Sequence, residues 1–183
     1  QELRPLLVNE KNRLTRLRLL SLAATALVRN GNKAGAKKLI DEATPLLPSD
    51  FGNRDEFGVA EVYALALSYI DPARGFDLTE RLLDKGNRMI NLRDELVDFR
   101  SSASDPMNLI FSVRRGQVAT HSEHSIAIIR VLANADFNRT VKLADRFSNA
   151  EQRLFFRWHI VNALLNSNAE FEEGRFADKE PCG

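Results

Sequence analysis

Apolar residues in this chain recur every three or four positions and halt at short polar breaks. The stretch Leu20 to Pro48, LSLAATALVRNGNKAGAKKLIDEATPLLP, shows the pattern most completely. Leu14, Leu17, Leu20, Ala24, Leu27 and Val28 share one face of a helix running from about Glu10 to Asn30. Asn30-Gly31-Asn32 then stops it, because glycine takes the left-handed conformation without steric cost and Asn32 is suited to cap the next helix. That second helix starts near Lys33 and presents Ala36, Leu39, Ile40 and Ala43 on one face. Pro45 and Pro48 end it, since proline lacks the amide donor and disfavours helix in the residue before it. Small Ala24 and Ala36 would let the two backbones approach closely.

Similar units recur downstream. A third helix, about Asp55 to Tyr69, carries Val59, Val62, Tyr63, Ala66, Leu67 and Ile70. Asp71-Pro72 marks a helix start, an N-cap acid before a proline at the first helical position. The next helix holds Phe76, Leu78, Leu82 and Leu83. Later, Ser122 to Asn134 presents Ile126, Ile128, Ile129 and Leu132, and Asp136 caps a helix with Val141, Leu143, Ala144 and Phe147. A last helix, about Asn149 to Asn166, carries Leu154, Phe155, Trp158, Val161, Leu164 and Leu165 as its apolar positions. Aligning the caps Asn32, Asp71 and Asp136 puts small or slight Ala36, Gly75 and Thr140 four residues on, and Leu39, Leu78 and Leu143 seven residues on. No sustained alternation of β-branched and polar residues marks a sheet.

The fold expected is therefore all-α: a short α-α superhelix, or solenoid, of about three helical hairpins plus a final helix. Residues 1–167 read as the helical-repeat domain, with an insertion at about 84–120, and residues 168–183 as an acidic tail of five acids against two bases. The tail reads as a mobile or loosely docked segment.

Leu20, Ala23, Ala24 and Leu27 on the first helix, with Ala36, Ile40, Ala43 and Pro48 on the second, resemble a tetratricopeptide repeat. The likeness covers about one repeat of ~34 residues. Leu20 and Leu27 stand where that family places its aromatic residues. The resemblance implies hairpin geometry. Stacked hairpins of this kind make a concave face that collects a peptide or partner.

Lys and Arg total 26 against 25 Asp and Glu, so bulk charge selects neither a nucleic acid nor an acidic partner. The lone cysteine, Cys182, excludes an intrachain disulfide; it reads as a free thiol, with an intermolecular link as the alternative. No run approaches the ~20 apolar residues that span a bilayer. Arg13 to Val28 looks superficially like a signal peptide, but Arg29 follows the apolar run and no small-x-small cleavage site appears. A start at Gln1 rather than Met points to a removed leader, N-terminal portion or tag and leaves the compartment open.

Candidate site residues are few. Arg114 and Arg115 lie in the insertion, where they read as solvated charges or as a pair for carboxylate or phosphate. His121 and His124 share a helix face, but no third ligand or HExxH pattern accompanies them, so no metal and no cofactor are expected. His159 reads as a core-edge or exposed residue. The first fifty residues hold nine basic and five acidic side chains, and Arg13 and Arg16 share a face that suits an acidic partner or nucleic acid. Without interleaved aromatics for base stacking, nucleic acid is the lesser reading. No phosphate loop, GxSxG or Cys/His nucleophile is present. The expected function is a non-catalytic scaffold or assembly subunit that binds a protein or peptide, with a homo-oligomer or larger assembly in view. The alternatives are nucleic-acid binding by the first helix and an enzyme using the insertion histidines and arginines.

Overall fold

A computed structural model of the chain describes residues 10–97 and 123–177, with side chains over 10–88 and 124–166. Seven α-helices and one 3-10 turn make up the described residues, with no strand among them. The helices are α1 (Arg13–Arg29), α2 (Lys33–Ala43), α3 (Arg54–Ile70), α4 (Pro72–Val97), α5 (Glu123–Ala135), α6 (Phe137–Asp145) and α7 (Ala150–Ala177).

Local chemistry sets the helix starts. Asn12 accepts from the amides of Leu14 and Thr15, Asn32 from Gly35, Asn53 from Glu56, Asp71 from Arg74 and Asp136 from Arg139. Each bond satisfies a first-turn donor that the helix itself leaves unmatched. Gly31 takes φ +78° between α1 and α2, as the Asn-Gly-Asn break requires.

The hairpins form two rows. α1 packs on α3, α3 on α5, and α5 on α7, making an inner row. α2, α4 and α6 pack on the preceding α1, α3 and α5 as an outer row. α3 sits mid-stack, so every residue from Val59 to Ser68 is buried, including Glu61. The core gathers Leu17, Leu20, Ile40, Phe57, Tyr63, Phe76, Leu82, Leu132, Phe156 and Ile160. At its far end Phe147 stacks on Phe156 at 4.3 Å. Buried hydroxyls of Ser21, Ser68, Thr79 and Thr140 donate to the carbonyl four residues back, which lets a polar residue sit inside a helix packing face.

Arginines tie neighbouring helices of the outer row together at the surface. Arg139 on α6 bonds Asp77 and Glu80 of α4 at 2.7 and 3.1 Å. Arg146 bonds Glu80 and Asp84 of α4, each at 2.8 Å.

Three sequence expectations change. The fourth helix does not end near Asp84: α4 continues to Val97, into the expected insertion. No proline interrupts Lys85 to Val97, and a single glycine, Gly86, is too weak a break to stop a helix packed on both sides. The last helix also runs beyond Asn166, to Ala177, through much of the expected tail. Four of its six assigned apolar positions are exposed, while Phe155 packs on the core as read. Leu154, Trp158, Val161 and Leu165 are 71%, 59%, 51% and 64% exposed, while Gln152, Phe156, Ile160 and Ala163 face the core. α7 carries apolar residues on opposite sides, and α5 and α6 cover only one of them.

Candidate functional site

The inner row leaves an open groove of about 540 Å³. Every residue lining it comes from the first helix of a hairpin or from α7. Arg29 enters from the end of α1 and Tyr69 from the end of α3. α5 supplies Ala127, Arg130, Val131 and Asn134, spaced three and four apart and so on one face. α7 supplies His159, Ala163 and Asn166 by the same rule.

The lining is amphipathic and one-signed. Tyr69, Ala127 and Val131 are half-buried and make an apolar floor; Arg29, Arg130, Asn134 and Asn166 are exposed at the walls. Among the described residues, no carboxylate lines the groove. The buried His159 lies at its edge between Phe155 and Trp158, with ring centroids 4.4 and 4.7 Å away, which fits the core-edge expectation.

Four arginines elsewhere make the contrast. Arg139, Arg146 and Arg157 are salt-bridged to acids, and Arg153 donates to the carbonyls of Phe147 and Ser148. Among the described residues, Arg29 and Arg130 make no ion pair or side-chain hydrogen bond, and neither do the amides of Asn134 and Asn166. The groove thus holds two guanidinium forks and two side-chain amides with their bonding capacity unspent. A guanidinium presents a planar donor pair that matches a carboxylate, and an amide both donates and accepts, as a peptide backbone requires.

The residues singled out from sequence fall elsewhere. Arg114, Arg115 and His121 lie outside the described residues. His124 is half-buried at the start of α5 and does not line the groove. Arg13 donates to the carbonyls of Leu46 and Leu47 at 2.9 and 3.0 Å, and Arg16 pairs with Glu42. Both hold the first hairpin closed, so their charge serves the fold. Arg29, Arg130, Asn134 and Asn166 had a faint signal: each is a polar residue on the first helix of a hairpin or on the last helix. Nothing local marks those positions as convergent.

Asp50 and Arg139 depart from their ordinary pKa, and neither lines the groove. Asp50 is lowered, chiefly by its hydrogen bond to Lys85 and then by that lysine's charge. Arg139 is raised, chiefly by its bond to Asp77. The described residues contain no group of three or more His, Cys, Asp or Glu placed to hold a metal. A separate void beside Glu61 and Ser125 measures about 10 Å³, the scale of one water and too small for a ligand. No described helix is long and apolar enough to cross a membrane. Comparison with protein-family models, with curated proteins and with solved structures finds no match for this chain.

Proposed function

We propose that the chain is a protein-interaction domain that holds an extended, acidic segment of a partner protein in the inner-row groove. The hairpin-on-hairpin packing supports the reading of a tetratricopeptide-like repeat scaffold, whose inner face is the binding face. The carrying observation is that Arg29 and Arg130 face a groove lined by no described carboxylate, whereas Arg139, Arg146 and Arg157 are salt-bridged within the fold.

The lining sets the chemistry. Asp or Glu side chains of the partner pair with the two arginines. Asn134 and Asn166 bond its main chain, and Tyr69, Ala127 and Val131 take an apolar side chain between the charges. Two arginines suit a short acidic segment better than a nucleic acid, whose binding usually neutralises about 6–10 phosphates.

The test is fluorescence anisotropy with a labelled peptide alternating Glu with Leu and Tyr, set against the same peptide with Gln for Glu. Binding of the acidic peptide alone, weakened at least about tenfold by Arg130→Gln with Arg29→Gln, supports the proposal; tenfold corresponds to about 1.4 kcal/mol. Equal binding of both peptides, or no loss in the double variant, overturns it.

A further inference from the structure

Opposite the core-facing side of α7 runs a row of exposed apolar residues: Leu154, Trp158, Val161 and Leu165. At 3.6 residues per turn the row lies about 150° round the helix from Phe156 and Ile160. It is also distinct from the groove face of His159, Ala163 and Asn166. The intervals are four, three and four, the spacing of a coiled-coil seam. α7 ends the stack among the described residues, where a helical array leaves its last apolar face without a neighbour.

We propose that this row is a dimer face on which a second copy of the chain packs its own α7 antiparallel. The pattern is a palindrome. Read in either direction it is four, three, four, with leucine at both ends. A two-fold axis between Trp158 and Val161 sets Leu154 of one copy on Leu165 of the other, and large Trp158 on small Val161. An isologous interface needs a surface that complements itself in this way.

Area and charge agree. The four side chains expose on the order of 500 Å², at the upper end of the patches ordinary monomers show. Two copies cover about 1,000 Å², where specific interfaces begin, so the dimer is weak, with a Kd on the order of 10 μM. No charged side chain interrupts the row. Arg157, beside it, is held by Asp145 at 2.9 Å and in the pairing faces Asn162 of the other copy, not a second arginine.

Trp158 is the only tryptophan, so its emission reports the seam directly. Sedimentation velocity on the full chain is expected to show monomer passing to dimer through the micromolar range, with Trp158 emission moving to shorter wavelength over the same concentrations. Leu154→Glu and Leu165→Glu are expected to abolish both changes. Their sites are exposed, so helicity and melting should be retained. Leu22→Ala, at an exposed leucine on α1, is expected to leave the dimer unchanged. In a Cys182→Ser background, Leu154→Cys and Leu165→Cys chains should cross-link when mixed and neither alone. A chain that stays monomeric into the high micromolar range overturns the proposal. So does a dimer that survives Leu154→Glu, cross-linking of Leu165→Cys chains with each other alone, or a Trp158 shift that appears only with lipid vesicles. Loss of peptide binding in the groove variants leaves this result untouched, because the two faces share no residue.

Discussion

Glu61 on α3 accepts a hydrogen bond of 2.7 Å from the Ser125 hydroxyl on α5, with both side chains buried where the inner row crosses mid-stack. A carboxyl group placed there must be met by donors, and Ser125 is one of them. Ser125→Ala is therefore expected to destabilise the protein by about 1–3 kcal/mol, read as a lower urea midpoint. A double-mutant cycle with Glu61→Gln should show coupling of at least about 0.5 kcal/mol. An unchanged midpoint in Ser125→Ala would remove this bond from the account of the core.

Gly75 and Gly58 should respond oppositely to alanine. A Cβ at Gly75 would lie 2.6 Å from Ser68 Oγ and 2.8 Å from Ser68 Cα, so α3 and α4 must separate. Gly75→Ala is expected to cost about 1–3 kcal/mol. Gly58 has nothing within 4 Å of the same position, so alanine there should stabilise α3 by about 0.5–1 kcal/mol. Thermal melts of the pair decide it: a Gly75→Ala protein as stable as the parent would mean the helices are not in contact at that point.

The arginine ladder between α4 and α6 should be salt-sensitive. Arg146 bridges Glu80 and Asp84 while Arg139 bridges Asp77 and Glu80 and lies 4.5 Å over the Phe76 ring. These groups are partly exposed, so Arg146→Gln is expected to cost only about 0.5–1 kcal/mol at low salt. That difference should shrink near 1 M salt, where the screening length is about 3 Å. A loss that is the same at both salt levels would assign Arg146 a packing role instead.

Lys85 holds the Asp50 carboxyl below its ordinary pKa, first through their 2.9 Å hydrogen bond and then through charge. A folded-state pKa below the unfolded one gives a contribution present above the unfolded value and lost as pH falls through the folded value. Lys85→Met should return the Asp50 midpoint upward to the usual aspartate range, followed by carbon-13 NMR of its carboxyl during acid titration. A midpoint that does not move would rule out Lys85 as the cause.

Much of the architecture was legible because its causes are local. The caps Asn32, Asp71 and Asp136 each act through their own side chain on the next turn, and the structure places all three as read. The small residues four positions on are buried, as close helix approach demands: Ala36 and Thr140 are 0% exposed and Gly75 sits against Ser68. The expected start of the insertion near Asp84 did not hold, since α4 runs on through Gly86 to Val97. One glycine costs only about 1 kcal/mol in a helix, and packing of α4 against α3 and α5 outweighs it.

The groove and the α7 faces were not legible. Arg13 and Arg130 look alike in a string of letters. Arg13 is consumed by the carbonyls of Leu46 and Leu47, more than thirty residues away, and Arg130 meets no such partner among the described residues. Likewise α7 offers two apolar stripes. Periodicity detects a stripe but says nothing about what lies opposite it. So helix identity, turns and caps came from the order of residues, because a capping bond or a glycine turn closes within three or four positions. Which arginines the fold consumes, and which side of α7 meets the core, were decided by how the helices pack. Burial is a property of two surfaces brought together, and only one of them is written in any given segment.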